Sequence, residues 1–410
     1  MTDAAPEQTE PDLVDSPYAW GRLAISLAMS TVGGIGLWSV VVTLPVIETE
    51  FGIDRGGASL PYTATMVGFA IGGIVMGRLA DRYGIFIPLV VGTLMLAIGY
   101  AAASQAESVL TFMLAQSLLI GMMGSAATFG PLVADVSLWF EKRRGIAVGI
   151  VASGNYLSGT IWPPILSNLI QTVGWREAHL WIAVTCIVLM LPMAFMLRRR
   201  ADTSERPNVL GSARGLRPGG MSLRSVQILL IIAGLACCIA MSMPQVHIVA
   251  YCGDLGYGVA RGAEMLSIML GLGVVSRITS GFIADKIGGL GTLLLGSTLQ
   301  CAALLFYIPF DGLVSLYVVS ALFGLSQGGI VPSYAMIVRQ YFPAREAGAR
   351  VSLVLMTTVI GMAVGGWMSG EIYDMTGSYQ AAFINGIAWN LLNMAIAFFL
   401  LMNQRQRRTA

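Results

Sequence analysis

Arg277 lies inside an apolar stretch, 263–284, that carries no other basic residue. A charge at the centre of a bilayer costs at least ~2.5–3.5 kcal/mol, so a guanidinium there needs a partner or a task. Gly273 and Val274 occupy the positions one turn earlier, so no carboxylate on its own helix serves it. An anionic ligand, above all a carboxylate held through two hydrogen bonds, completes such a guanidinium. The alternative is a structural arginine bonded to main-chain carbonyls. His247, three residues after Pro244, is one of two histidines; the other, His179, opens an earlier apolar stretch. A histidine at this depth can donate to a substrate oxygen, carry a proton, or simply be a satisfied packing residue. Pro244 frees a carbonyl nearby, as in helices that line a cavity. Trp38, Thr128, Asn155, Tyr156, Gln327 and Tyr334 also lie deep in apolar runs. Each one alone suits an interhelical contact; as a set around Arg277 they form a mixed polar and aromatic pocket.

A second group is marked by repetition. Gly77-Arg78-Leu79-Ala80-Asp81-Arg82-Tyr83-Gly84 returns as Gly281-Phe282-Ile283-Ala284-Asp285-Lys286-Ile287-Gly288. Each copy ends one apolar run and precedes the next, so the chain reads as two copies of one helical unit. The glycines suit a close helix approach and a tight turn. Asp81 and Asp285 can accept from a helix N-terminus or pair with a nearby arginine. With Arg78, Arg82, Lys286, Arg143 and Arg144 they form a candidate cytoplasmic gate.

No catalytic constellation accompanies these residues. No nucleophile has a nearby base, no His/Cys/Asp cluster has metal spacing, and no phosphate-binding loop follows a strand. No cofactor is expected. The five cysteines read as small apolar residues.

What positions these groups is a membrane bundle. Of 410 residues 56% are hydrophobic and 11% charged, with mean hydropathy +0.74; a soluble domain carries about 25% charge. A net charge of +2 gives no reason to expect a nucleic-acid partner. A spanning helix needs about 20 apolar residues, and twelve stretches qualify: 21–46, 58–77, 86–103, 109–133, 146–170, 178–197, 226–251, 263–284, 290–308, 313–338, 347–371 and 381–402. The expected organisation is a disordered cytoplasmic tail (1–20), a six-helix bundle (21–197), a cytoplasmic linker (198–225), a second six-helix bundle (226–402) and a short tail (403–410). The basic residues concentrate on one side of this topology, with Arg55, Arg176 and Arg261 on the other. The positive-inside rule then makes both termini cytoplasmic. Gly145, Gly149, Gly154 and Gly159 in span 5, and Gly361, Gly365, Gly366 and Gly370 in span 11, suit close helix packing.

The doubled hairpin and twelve spans resemble the major facilitator superfamily over about residues 20–402. A narrower resemblance starts at Trp139-Phe140-Glu141-Lys142-Arg143-Arg144-Gly145, followed by Ser153-Gly154. It is similar to the loop and glycine-rich helix 5 of monocarboxylate transporters and their oxalate/formate-antiporter relatives. Arg277 followed by Gly281 matches that family's helix-8 substrate arginine, and His247 resembles a residue of bacterial lactate-transporting members. The resemblance implies an all-α fold of two pseudo-symmetric six-helix bundles. It also implies proton-coupled uptake of a short carboxylate by alternating access, by a monomer in the cell inner (plasma) membrane. The chain departs from the pattern at Gly273, where animal members carry an acidic residue, and in helix 1, which has no lysine. It departs again at Thr357-Thr358, where oxalate exchangers use a second basic residue. These differences favour a monocarboxylate over a dicarboxylate. Carboxylate exchange without a proton, and a carboxylate receptor that transports nothing, are the alternatives.

Overall fold

The computed structural model describes residues 13–200, 221–342 and 344–406, with the side chains of 344–349 and 405–406 outside that set. Most of the expected tails, and residues 201–220 of the expected linker, lie outside the described residues. The described chain is helical throughout: α1 (Pro17–Phe51), α2 (Arg55–Tyr83), α3 (Phe86–Ser104), α4 (Val109–Leu138), α5 (Arg144–Ala152 and Gly154–Val173), α6 (Trp175–Met196), α7 (Leu223–Asp254), α8 (259–287), α9 (289–306), α10 (Leu313–Tyr341), α11 (Ala344–Thr376) and α12 (Tyr379–Gln406).

Ten continuous stretches are long and apolar enough to cross a membrane. One of them, Val259–Phe306, has 48 residues. At ~1.5 Å per residue it would be more than twice as long as the hydrocarbon layer is thick. It is two helices meeting at Gly288, where φ is 78° and ψ 169°. The matched position in the first repeat, Gly84, has φ 82° and ψ 168°. That region of backbone space is open essentially to glycine alone. The last glycine of each repeat therefore makes the same turn in both halves. With α5 counted as one interrupted helix, the helices among the described residues are consistent with twelve spans.

Helix starts follow local rules. Ser16 accepts from the Ala19 amide and Pro17 opens α1, an ordinary N-cap with proline at the first helical position. Asp15 straps this start to the loop before α5, accepting from the amides of Glu141 (3.2 Å) and Lys142 (3.0 Å). The Lys142 amide, more than any other group, holds the Asp15 carboxyl below the usual carboxylate range. Large apolar side chains such as Val188, Trp181, Ile278, Phe282 and Val314 are exposed on the outer surface, as lipid contact requires.

The two halves meet on the face away from the chain termini. There Thr63 of α2 donates to the Ala363 carbonyl of α11 at 2.9 Å, and Gly366 lies against the Tyr62 ring. Ser267 of α8 donates to the Thr160 carbonyl of α5. On the terminus face the picture reverses. A Cβ built at Gly77, Gly145, Gly149 or Gly281 meets nothing within 4 Å. The close helix approach expected at Gly77 and its repeat partner is thus not made here, although the turn at Gly84 is. The halves are packed together at one face and apart at the other.

Arg22, at the start of the first expected span (21–46), is a buried basic residue. It is 2% exposed and forks onto Asp135 of α4 at 2.9 and 3.1 Å. It also donates to the Leu197 carbonyl at 3.0 Å and lies 4.5 Å above the Trp139 ring. One guanidinium ties α1, α4 and the end of α6. Removing one partner of a buried pair strands the other charge, at a cost of about 3–5 kcal/mol. Asp135→Ala should therefore lower the melting temperature of the detergent-solubilised protein markedly. Replacing both residues, as Arg22→Met with Asp135→Leu, should recover much of the loss. An unchanged melting temperature in Asp135→Ala would show that the pair holds nothing together.

Candidate functional site

The centre of the molecule is lined by interrupted helices. α5 breaks at Ser153 and α10 at Gly328-Gly329. α1 is interrupted at Gly34, and α4 runs through a π-helical stretch, Ala115–Gly124, into a short 3-10 turn, Ser125–Thr128. Irregular backbone at membrane depth is tolerated only where protein or a polar cavity serves its carbonyls. Arg277 provides that service. Its Nη1 donates to the carbonyl of Ala152, the last residue before the break in α5, at 2.9 Å. Its Nε donates to the carbonyl of Gly328, at the break in α10, at 3.4 Å. The guanidinium carbon sits 4.3 Å above the Tyr156 ring. No carboxylate pairs with Arg277 among the described residues, and the two carbonyls leave donors of the fork free to act.

Buried polar atoms on α5 and α10 lack partners. Asn155 Oδ1 and Gln327 Nε2 are both sealed from solvent and unbonded. The other end of Gln327 accepts from Gln245 of α7. Trp38 of α1 donates through Nε1 to the Asn155 carbonyl at 3.0 Å. Gly273 sits between these groups: a Cβ there would lie 2.5 Å from the Tyr156 ring and 3.8 Å from Gln327 Nε2. Arg277, Tyr156 and Gln327 therefore form one group, shared by α5, α8 and α10; Trp38 of α1 reaches α5 through the Asn155 carbonyl and packs at Gly159. The group offers a forked cation, an amide donor and an aromatic wall, a set suited to a small planar anion with an apolar body.

Three expected site residues lie elsewhere. Thr128 bonds to the Ser125 carbonyl and packs against Gly33 within the first half. Tyr334 donates to Asn393 Oδ1 at 2.9 Å, inside the second half. His247 is fully buried with both nitrogens engaged, by the Tyr379 hydroxyl at 3.1 Å and the Gly366 carbonyl at 2.7 Å. Its partners belong to α11 and α12, not to the Arg277 group. The terminus-face residues Arg78, Asp81, Arg82, Arg143, Arg144, Asp285 and Lys286 are all exposed. Among the described residues none of them pairs with a carboxylate or guanidinium across the halves. Arg144 bonds to the Phe140 carbonyl, and the Asp81 carbonyl accepts from Arg200.

Two features escaped the sequence reading. Gln245 directly follows Pro244, and a polar side chain beside a helix-breaking residue was a usable signal. Arg55 read as an outer-loop residue, but it is the first residue of α2 and 6% exposed. The recurrence of acidic residues at the ends of spans on that side, at Glu48, Asp254 and Asp374, was its only sequence trace.

Gly273→Ala separates packing from charge at this site. Alanine favours a helix over glycine by ~1 kcal/mol, but the new methyl would press on the Tyr156 ring, and overpacking costs about 1–3 kcal/mol. Thermal unfolding should show a net loss of stability. A gain would mean that the ring has room to move and is not fixed beneath Arg277.

Comparison with known proteins adds a family. The family model described as Major Facilitator Superfamily matches residues 26–349 and 292–410. Monocarboxylate transporter 13 of Bos taurus is 29% identical over 392 residues, covering 93% of this chain and 89% of its own. An MFS-type transporter of Gibberella moniliformis is 26% identical over 361 residues, covering 84% and 85%. Among solved structures, the nucleoside transporter NupG superposes with a TM-score of 0.71 at 12% identity, covering 93% of this chain and 99% of its own. A bacterial homolog to the human lysosomal transporter Spinster, inward-facing and occupied, superposes with a TM-score of 0.68 at 16% identity, covering 95% and 97%. At these identities the structural matches speak for the fold alone.

Proposed function

From the premise that the chain belongs to the Major Facilitator Superfamily, and is a membrane transporter rather than an enzyme, we propose that its substrate is a small organic monocarboxylate. The observation that carries this reading is Arg277: a guanidinium at the junction of the halves, fixed by two carbonyls from broken helices, with no carboxylate of its own. The similarity to Monocarboxylate transporter 13 supports the same class. The substrate carboxylate takes the free side of the fork. Gln327 Nε2 donates to a carboxylate oxygen, Asn155 Oδ1 accepts from a hydroxyl substituent, and Tyr156 and Trp38 face the carbon skeleton. No second cation stands in this group, so one carboxylate is matched and two are not.

Transport follows by alternating access between two six-helix halves joined through 198–225, with the site near the bilayer midplane. Closed at one face and open at the other, the arrangement described above is one end of that cycle. With the termini in the cytoplasm of a plasma-membrane protein it is the inward-facing end. The terminus-face residues Asp81, Asp285 and their basic neighbours then come together in the opposite state. Proton symport is the coupling, and His247 the carrier. His247 Nε2 donates to the Gly366 carbonyl, and in the neutral ring Nδ1 accepts from the Tyr379 hydroxyl. Taking up a proton turns Nδ1 into a donor and breaks that arrangement. The acting unit is the monomer.

The test is ligand-induced thermal shift with short monocarboxylates, using their uncharged amides as controls. Arg277→Lys keeps the charge but loses the planar fork. Losing a charge-assisted bond costs ~1.5–3 kcal/mol, so affinity should fall roughly ten- to a hundredfold. Arg277→Ala should abolish the shift. If Arg277→Ala still binds within about threefold of the parent, the anion site lies elsewhere and the substrate class falls with it.

His247→Gln should abolish accumulation driven by a pH gradient while leaving substrate exchange. Intact accumulation in that variant would make His247 a packing residue.

A further inference from the structure

Arg55 is the first residue of α2, in the first half, and almost everything it holds belongs to the second. Its Nη1 and Nη2 fork onto the Asp254 carboxylate at the end of α7, at 3.0 and 3.1 Å. Nη1 also donates to the Tyr379 hydroxyl at the start of α12, at 2.6 Å. The guanidinium lies 4.8 Å from the Tyr373 ring of α11. Its Nε faces Glu48, at the end of α1, at 2.6 Å. The main chain joins in: at the N-terminus of α2, which Asp54 caps through the Gly57 amide, the amides of Arg55 and Gly56 donate to the two oxygens of Asp374 at 3.0 and 2.6 Å. A carboxylate from one half thus caps a helix of the other, where the helix dipole favours it. The Tyr379 hydroxyl, which accepts from Arg55, also lies 3.1 Å from His247 Nδ1, and His247 Nε2 is anchored to the Gly366 carbonyl.

We propose that Arg55 is the gating residue of the transport cycle. Its pair with Asp254 is the latch that holds the face opposite the termini shut, and His247 is a positioning residue that acts on it through Tyr379. Three observations carry this. The contact crosses the halves at three helices at once, so no rocking of one half against the other leaves it intact. It sits at the face where the halves are closed, while the hairpin residues at the other face are exposed and unpaired with one another. The charges are also unbalanced. Glu48 and Asp254 share one guanidinium, Asp374 is held by the main-chain amides at the same helix start, and Glu371 lies beside Gly56. Tyr373, Tyr379 and His247 are the other titratable groups facing it. When the halves part, Arg55 keeps Glu48, which travels with it on α1, and releases Asp254 and Asp374. A cation that keeps one partner in both states is suited to a latch that opens in every cycle rather than to a permanent staple. The relay through Tyr379 gives His247 its effect: a proton on Nδ1 competes with Arg55 for the same hydroxyl.

The inference stands apart from the choice of substrate, and its test needs none. Two cysteine reporters are introduced separately: Val246→Cys, buried between α7 and α11 beside Gly366, and Gly281→Cys, open on the terminus face. Each is labelled with a maleimide that does not cross the membrane, with the parent chain as control for its own buried cysteines. Arg55→Gln and Asp254→Asn should each raise labelling at position 246 by about tenfold, as expected for a lost charge-assisted contact, and lower it at position 281. The reversed pair, Arg55→Asp with Asp254→Arg, should restore both rates towards the parent. General loosening of the fold raises labelling at both reporters, so the opposite signs are specific to a latch. Unchanged labelling at 246 in both single variants overturns the proposal. So does a rise at both reporters, or a reversed pair that fails to restore the rates. If Arg55→Gln does not fold, Asp254→Asn, which keeps the shape of the side chain, decides it alone.

Discussion

In a hydrocarbon layer a main-chain carbonyl without a partner and a guanidinium without a partner are both costly. The centre of this protein brings the two together. The breaks at Ser153 in α5 and at Gly328-Gly329 in α10 present carbonyls to the space between the halves, and Arg277 bonds to both. Each defect offsets the other. The guanidinium is held in a defined orientation over Tyr156 while part of its fork stays available. Asn155 Oδ1 and Gln327 Nε2 are likewise buried without partners, which costs free energy until a polar group reaches them. A site built in this way spans the junction of the halves, so its occupancy and their relative position are linked.

The second organising contact lies at the far face. Buried ion pairs are poor sources of net stability, because desolvation offsets most of the attraction. Arg22–Asp135 is of this kind, and Arg55–Asp254 is so on its arginine side while Asp254 stays partly exposed; the two also differ in what they join. Arg22 ties helices of one half, and nothing in a rocking motion asks it to let go. Arg55 ties the halves to each other. The near-balance of desolvation and attraction that makes such a pair a weak staple also makes it easy to break and re-form, which a gate requires.

The sequence made much of this legible. The repeated hairpin carried the two-fold architecture, and Gly84 and Gly288 make the same glycine-only turn at its end. Arg277 stood out because a lone charge in an apolar run has few explanations, and Tyr156, Asn155, Gln327 and Trp38 were found by depth alone. What could not be read was which side of its helix each deep residue faces. Thr128, Tyr334 and His247 are as deep as the others but turn into the packing of a single half or towards the far face. Arg55 was missed for a different reason. Hydropathy places the end of a span where charge begins, so a charged residue at a helix start is counted as loop. Its burial comes from the other half of the protein, 199 positions along the chain at Asp254, and no local window contains that information.

The central claim, that the free side of Arg277 receives a single carboxylate which then crosses the membrane, is met most directly by counterflow in proteoliposomes. Vesicles loaded with an unlabelled short monocarboxylate are diluted into the labelled acid at trace concentration. The account predicts transient accumulation of label that saturates, is competed by other monocarboxylates, and is not competed by their amides or by dicarboxylates. With the lumen made alkaline and left unloaded, it also predicts net uptake that collapses the pH gradient; exchange without such uptake would point to an antiporter. No counterflow of any monocarboxylate, in vesicles that do exchange a dicarboxylate or an uncharged solute, would contradict the account.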